Sequence, residues 1–419
     1  MKVAVIGSGG REHALVRALS QSDRVSQIQV FPGSSGISLE PKVLCFEEAL
    51  SLDQVEAVWT KQPVDLVVIG PEQPLADGWS DALRKKGLPV VGPSQGAAQL
   101  EASKVYSKEF MLEFQVPTAR SIRVSSFEEV RRHYSSFAPP WVLKADGLAG
   151  GKGVTLHNSE EDLFARAREL FDLNRLGTAG ATALLEEFQP GWEMSYLILT
   201  NGDGFVPLPV SQDHKRLLDG DQGPNTGGMG TIAPLALDPE LERRIQTEIV
   251  APTLRGLHER QLLYRGVLYI GLMITPQGPR VIEYNVRFGD PEAQVLMPLL
   301  DGDWLEVFEE LAQGNLRKLQ WKPESAACVV LAAPGYPDCP EKGVPIETLP
   351  EASSPSAYLL HAGTRRTAKG WETQGGRVLN VIGLGKTRPE ALANAYKLAD
   401  QVRWRGLQMR RDIGKTTAG

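Results

Sequence analysis

The chain has 419 residues, 42% of them hydrophobic and 23% charged, with 45 Lys and Arg against 51 Asp and Glu for a net charge of −6. That length exceeds a single core and predicts about two to four domains, while the charge leaves no broad basic surface for nucleic acid. Three cysteines (Cys45, Cys328, Cys339) without CxxC spacing argue for a reducing compartment, and no apolar run is long enough for a membrane, so a soluble cytoplasmic protein is expected.

In residues 2–100, apolar runs alternate with helical patterns. Val3–Ile6, Ile28–Phe31, Asp65–Ile69 and Pro89–Val91 read as strands, His13–Leu19 as a helix, and a second helix is expected from about Phe46 into Trp59. Continuous apolar strands separated by helices predict a doubly wound parallel sheet, with ligands beyond the carboxyl ends of its strands. Gly7-Ser-Gly-Gly10 follows the first strand. It reads either as a phosphate-binding turn at a helix N-terminus or as a tight strand–helix packing turn. It is not the dinucleotide fingerprint, because Glu12 stands where the third Gly belongs. Gly70-Pro-Glu-Gln-Pro-Leu75 ends another strand on the same edge, so Glu72 reaches a ribose hydroxyl or an amine, or the segment is a plain turn.

A polar helix, Ser103 to Phe114, leads to strands near Ser121 and at Trp141–Lys144. Lys144-Ala-Asp-Gly-Leu-Ala-Gly-Gly-Lys-Gly153 brings two lysines to a glycine-rich loop. It is not a Walker A loop, since Gly153 stands in place of Ser or Thr, yet small residues let backbone N–H groups approach phosphate oxygens. Thr182–Phe188 is a further strand. Its end, Glu186-Glu187-Phe188, continues as a hinge able to read an adenine edge, with Glu193 near enough to accept ribose hydroxyls. Met194–Leu199 and Phe205–Val210 predict a hairpin around Asn201-Gly202.

The stretch from Ser211 to Gly230, with Gln212-Asp-His-Lys-Arg216 and Gly223-Pro-Asn-Thr-Gly-Gly-Met-Gly230, reads as a long functional loop. Lys215 and Arg216 suit a ribose phosphate, and His214 is a further site candidate. A helix follows from Pro239 to about Gln261, then a hairpin of Tyr269–Ile274 and Arg280–Val286. On its second strand Glu283 and Asn285 sit two residues apart, so period two puts both on one face, where a carboxylate and an amide oxygen suit Mg²⁺. Arg287, Asp290 and Glu292 come next, around Gly289 and Pro291. Lys318–Ser325 reads as a linker. Beyond it lie strands at Ala327–Ala332, Ala357–His361 and Arg377–Leu384 and an amphipathic helix at Arg388–Val402.

Taken together, Gly-Ser-Gly-Gly-Arg-Glu-His at 7–13, the 144–153 loop, Ser-Gln-Asp-His-Lys-Arg at 211–216, the 223–230 glycines and Asn-Val-Arg-Phe-Gly-Asp-Pro-Glu at 285–292 resemble the phosphoribosylamine–glycine ligase (glycinamide ribonucleotide synthetase) family of ATP-grasp enzymes. The resemblance runs from Met1 to about Gly414, and the 211–230 segment is its most specific element. It implies an α/β and α+β multidomain chain: a doubly wound N-terminal domain (1–102), an ATP-grasp core (103–317) with a mobile lobe at about 120–190, and a C-terminal α+β domain (326–419). It implies ligation of glycine to 5-phosphoribosylamine with ATP and Mg²⁺ or Mn²⁺, through glycyl phosphate, in purine biosynthesis. A monomer without nucleic-acid or membrane partners is expected.

Carried over, the resemblance gives Lys104 and Lys144 to the ATP phosphates, with Gly150, Gly151, Lys152 and Gly153 closing over them. Glu186, Glu187, Phe188 and Glu193 take the adenosine, and Glu283 and Asn285 the metal. Arg287 stabilises the transferring phosphoryl, with Lys144 and Asp213 as further catalytic groups. Gly10, Glu72, Asp213, Lys215 and Asp290 surround phosphoribosylamine and glycine. Gly150 departs from the Ala usual there, and the match is looser around Tyr336–Glu341. Another ATP-grasp ligase, a nucleotide-dependent dehydrogenase and an ATP-binding regulator are the alternatives. The 211–230 segment, Glu12 and the intact Glu283, Asn285 and Arg287 argue respectively against them.

Overall fold

The computed structural model describes residues 1–48, 50–148, 153–350 and 354–415. The first sheet contains β1 (Lys2–Gly7), β2 (Gln27–Pro32), β3 (Val43–Cys45), β4 (Leu66–Ile69) and β5 (Val90–Val91), all parallel, in the order β3-β2-β1-β4-β5. β1 reads as an unbroken apolar run because both its faces are covered. Val3 and Val5 join a core with Leu15 and Leu19, whereas Ala4 and Ile6 join another with Val55 and Phe110. The order reverses between β1 and β4, which opens a crevice at their carboxyl ends beside Gly7 and Gly70. The helix expected from about Phe46 begins only at Leu52. Ser51 caps it, its Oγ accepting from Gln54 N at 3.4 Å while Gln54 Oε1 accepts from Ser51 N at 3.0 Å.

A small lobe follows the helix Lys104–Glu113. It is an antiparallel sheet of β6 (Ser121–Val124), β7 (Trp141–Ala145), β8 (Val154–His157) and β9 (Ala183–Glu187) in the order β6-β9-β7-β8, covered by helices Phe127–His133 and Glu160–Phe171. Val124, Phe127, Trp141, Leu143, Leu163 and Leu185 give it a core of its own.

The chain then makes β10 (Trp192–Thr200), β11 (Phe205–Pro207), β12 (Gln212–Asp213), β13 (Arg216–Leu218), β14 (Gln222–Asn225), β15 (Gly230–Ala233), β16 (Gly266–Thr275) and β17 (Gly278–Asn285). Both expected hairpins are present in the antiparallel sheet β11-β10-β16-β17. The helix expected at 239–261 runs from Pro239–Arg244 through a π turn, Ile245–Val250, into Ala251–Glu259, with Pro252 near the junction.

The 211–230 segment is not the structureless loop its composition suggests. β13 and β14 form a hairpin, while β12 and β15 leave for another sheet. That sheet also takes β18 (Ser325–Ala332), β20 (Ala357–His361) and β23 (Arg377–Gly385), in the order β12-β15-β18-β23-β20; two small pairs, β19 (Ile346–Thr348) with β24 (Arg403–Trp404) and β21 (Thr364–Thr367) with β22 (Gly370–Thr373), flank it. Period two explains how it joins the body. Ala326, Cys328 and Val330 share the core of Val3 and Val5, and Ala327, Val329 and Leu331 lie beneath the helix Arg388–Ala399. Among the described residues no helix is long and apolar enough to cross a membrane.

Candidate functional site

Two adjoining cavities, of about 520 and 380 Å³, open where the carboxyl edge of the first sheet, the lobe, β17 and the β13–β14 hairpin converge. The smaller is walled by Val142, Leu156, Trp192, Met273 and Val281 beside Glu187 and Phe188, an apolar slot suited to a flat ring. Lys144, Glu186, Glu193, Asp213 and Lys215 line both.

The lobe contributes its charge through buried side chains. Lys144 Nζ lies 2.7 Å from Glu186 Oε2 and donates to the Ile282 carbonyl at 3.2 Å. That carbonyl is free because β17 bulges: Glu283 stands opposite Gly271 and Val281 opposite Leu272, leaving Ile282 without a partner. The other Glu186 oxygen lies 2.9 Å from Lys108 Nζ. Burial opposes ionisation of Glu186, but Lys144 and Lys108 hold its carboxyl below the usual range.

Glu283 and Asn285 face the larger cavity from one side of β17, while Tyr284 between them is buried. Burial disfavours the Glu283 carboxylate, yet Lys215, Lys104 and Lys144 hold its pKa down at about 2. Lys215 Nζ sits 3.3 Å from Glu283 Oε1 and 3.6 Å from Glu193 Oε2. Despite burial, those carboxylates push the Lys215 pKa well above its ordinary value. Lys104 is pulled down instead: burial outweighs the charge of Glu283, and Lys144 adds repulsion. A hard divalent cation fits Glu283 and Asn285, an ionised carboxylate and an amide oxygen on one face. Among the described residues no group of three or more His, Cys, Asp or Glu is arranged to hold a metal.

Arg287 is clamped. Its Nη2 donates to Glu101 Oε1 at 2.5 Å and to Asn285 Oδ1 at 3.0 Å, and Nε lies 3.3 Å from Glu72 Oε2. Burial works against the guanidinium charge, but Glu101 and Glu72 raise its pKa. Glu72 is therefore a partner of Arg287 in this structure. At the far wall Asp213 is raised well above the ordinary carboxylate range, first by burial and then by Glu292. Glu292 Oε1 accepts from Ser195 Oγ at 2.9 Å. Asp290 pairs with Arg377 at 3.3 Å, and Arg377 also donates to the Gly227 carbonyl at 2.6 Å.

Glu72, Lys104, Gly153, Glu283, Asn285, Arg287 and Asp290 thus line the larger cavity together with Lys144, Glu186, Glu193, Asp213 and Lys215, and Glu187 and Phe188 line the smaller one. Gly10 lines neither. A Cβ there would press on Asn380 and stand 2.8 Å from Gln294 Nε2, so this glycine serves close packing. The glycine turn before it is built around Glu12, whose Oε2 accepts from Gly9 N at 2.7 Å. Arg216 lines the smaller cavity, and its Nη1 donates to the Gly223 carbonyl at 2.8 Å within its own hairpin. Gly150, Gly151 and Lys152 lie outside the described residues. Sequence reasoning missed Lys108, Glu101 and Arg377 as site residues, and left Glu292 without a role. Lys108 follows Lys104 by one helical turn and was within reach of a periodicity argument; nothing local marks the others.

The lobe folded against an antiparallel sheet, with cations from both on one cavity, is the ATP-grasp architecture. The biotin carboxylase domain of Hydrogenobacter thermophilus 2-oxoglutarate carboxylase shares it, with a TM-score of 0.75 over 97% of this chain and 91% of that one, at 18% identity. The models of the phosphoribosylglycinamide synthetase N domain, ATP-grasp (A) domain and C domain match residues 1–101, 102–293 and 326–416. Phosphoribosylamine–glycine ligases of Rhizobium meliloti (strain 1021) and Vibrio cholerae are 43% and 41% identical over 417 and 419 residues, 99% of this chain and 98% of each relative. The crystal structure of the Thermotoga maritima phosphoribosylamine–glycine ligase superposes with a TM-score of 0.87 at 36% identity, over 98% of this chain and all of that one. The chain belongs to the phosphoribosylglycinamide synthetase family.

Proposed function

We propose that this chain joins glycine to 5-phosphoribosylamine at the expense of ATP, giving glycinamide ribonucleotide, ADP and phosphate. One observation carries the reading: Asp213 and Lys215, from the segment most specific to the family, enter the same cavity as Lys104, Lys144, Glu283 and Arg287. A nucleotide side and an acceptor side thereby share one space. The division at 1–102, 103–317 and 326–419, with a lobe at about 120–190 that moves over the nucleotide, belongs to the same proposal.

Glycine's carboxylate is inert to amines and has to be activated. Its oxygen attacks the γ-phosphoryl group, ADP leaves, and glycyl phosphate remains. The amine of phosphoribosylamine attacks the glycyl carbonyl and phosphate departs. Lys104 and Lys144 hold the phosphates; Glu186, Glu187, Phe188 and Glu193 surround the adenosine. Arg287, held fully charged, faces the transferring phosphoryl. Asp213, at the far wall of the cavity, takes the proton the amine loses. Glu72, Lys215 and Asp290 orient the two acceptors. Mg²⁺ or Mn²⁺ on Glu283 and Asn285 would neutralise phosphate charge. Orienting three reactants is worth about 7–11 kcal/mol of barrier.

The test is isotopic. Glycine labelled with ¹⁸O in its carboxylate is expected to deliver one labelled oxygen to each phosphate released, and release is expected to need glycine and phosphoribosylamine together. Unlabelled phosphate formed in step with product would exclude glycyl phosphate; no product at all would exclude the ligase reading.

A further inference from the structure

The hairpin that carries Lys215 has few strand pairs. β13 and β14 pair at Arg216 with Asn225 and Leu218 with Gln222, and β14 is exposed throughout. Its base is closed by Thr226, whose N and Oγ1 donate to the Lys215 carbonyl at 2.7 and 2.9 Å, while the Lys215 side chain makes two loose ion pairs, at 3.3 and 3.6 Å. What grips the turn of the hairpin is the far end of the chain. Arg410 has no exposed surface; its Nε and Nη2 donate to Asp412 Oδ1 and Oδ2 at 2.7 and 2.8 Å. Nη1 reaches across to Asp221 Oδ1 at 2.7 Å and the Arg216 carbonyl at 3.2 Å. Asp412 Oδ2 also accepts from Gly220 N at 2.7 Å, and Arg411 N donates to Asp219 Oδ1 at 2.7 Å. Each residue of the turn Asp219–Asp221 is therefore bonded to 410–412.

Two residues further on, Gly414 N donates to His214 Nε2 at 3.0 Å, and His214 Nδ1 faces the Gly230 carbonyl at 3.1 Å. A backbone N–H only donates and a carbonyl only accepts. Nε2 must be bare and Nδ1 must carry the hydrogen, which fixes one neutral tautomer of a buried ring. His214 stands between Asp213 and Lys215, both of which line the substrate cavity. Its ring is thus pinned between β15 and the chain end at the point where the strand delivers those two side chains.

We propose that Arg410–Gly414 is a clasp that sets the position of Asp213 and Lys215, with Arg410 and His214 as positioning residues. This rests on the ligase reading for its kinetics but not for its geometry. A planar fork bonded to two carboxylates and a carbonyl fixes direction as well as distance, which a lysine in its place does not.

The test uses the full chain with Arg410→Lys and, because that buried change can impair folding, Asp219→Ala on the exposed side of the turn. Both variants are expected to raise KM for glycine and phosphoribosylamine, Arg410→Lys by about tenfold and Asp219→Ala by about threefold, with KM for ATP within about twofold of wild type. The ¹⁵N resonances of His214 are expected to show an acceptor-type Nε2 in wild type and mixed tautomers in Arg410→Lys. Rates that fall only with the folded fraction, every KM unchanged in Asp219→Ala, would overturn the clasp. If wild type forms no ligated product, the ligase reading fails separately, and an unaltered His214 signal in folded Arg410→Lys would overturn the clasp by itself.

Discussion

Lys144 and Lys215 bring positive charge to the same carboxylate, Glu283, by opposite means. Lys144 is fixed at its tip: Glu186 at 2.7 Å and the Ile282 carbonyl at 3.2 Å hold the ammonium, and Lys108 holds Glu186 in turn. Lys215 is loose at its tip and fixed at its root, through the bonds that tie His214, Arg216 and the 219–221 turn to the chain end. The first arrangement belongs to a lobe with its own core, whose buried ionic tie to the body is Lys108–Glu186. The second belongs to a hairpin with no core. A rigid unit places a charge through its side chains; a segment without a core needs its backbone held from elsewhere.

The sharpest way to break this comparison is Glu186→Gln. The change leaves Lys108 and Lys144, both buried, without the carboxylate that bonds the two of them. Breaking a buried pair in this way costs about 3–5 kcal/mol, read as a lower urea midpoint, with ATP-dependent turnover lost. Glu193→Gln, at an exposed partner of Lys215, is expected to leave the midpoint unchanged. Equal midpoints for both variants would mean that Lys144 is held no more firmly than Lys215. The pH dependence follows the same logic. The Glu186 carboxyl is depressed in the folded state, so its stabilisation is present above the unfolded value of about 4.3 and disappears as pH falls through the folded one.

Next comes Glu283→Gln, which keeps the shape where the two lysines meet and removes the charge. Turnover is expected to fall by about 10²–10³-fold, far more than the folded fraction read from the urea midpoint, which is also expected to drop because the depressed carboxylate stabilises the fold at neutral pH. Near wild-type turnover at saturating Mg²⁺ would sink its role as a metal ligand.

The strand faces were legible because period two is local. Val3–Ile6 showed a strand covered on both sides, and Glu283 with Asn285 showed a shared face before any partner was known. The 211–230 segment was legible as functional but not as structure. β12 and β15 are only two and four residues long; β15 exists as a strand because β18, about 100 residues later, offers it an edge, and β12 pairs with β15 in turn. Glu101 reaches Arg287 from a helix 186 positions away, and Arg377 reaches Asp290 across 87. No spacing rule spans such distances. Gly10 was ambiguous for a different reason: a glycine after a strand suits an anion and a crowded junction equally, and Asn380, which makes the junction crowded, lies in β23.

The smallest expected effect concerns a third tie, made mostly by neutral groups. His361 N donates to His13 Nδ1 at 2.9 Å, joining the first helix to β20, while His13 Nε2 faces Glu40 Oε1 at 3.3 Å, which Arg17 also holds. The His361 ring meets Thr364 Oγ1 at 2.9 Å and lies 4.5 Å from the Trp371 ring. Burial, with the charge of His13 adding to it, pushes the His361 pKa down to about 3. An unfolded histidine takes its proton near pH 6.5, so between about 6.5 and 3 the unfolded chain binds a proton that the folded chain refuses. Stability from this group is therefore complete above pH 6.5 and declines as pH falls, by at most about 1.4 kcal/mol per pH unit. Urea midpoints at pH 7.5 and 5.5 are expected to differ more for wild type than for His361→Gln, whose amide does not titrate. Parallel loss in both would place the acid sensitivity elsewhere. A smaller loss in the variant would mean that a tie whose His361 ring is neutral is weakened by acid, whereas the Lys108–Glu186 tie holds until its carboxylate is protonated.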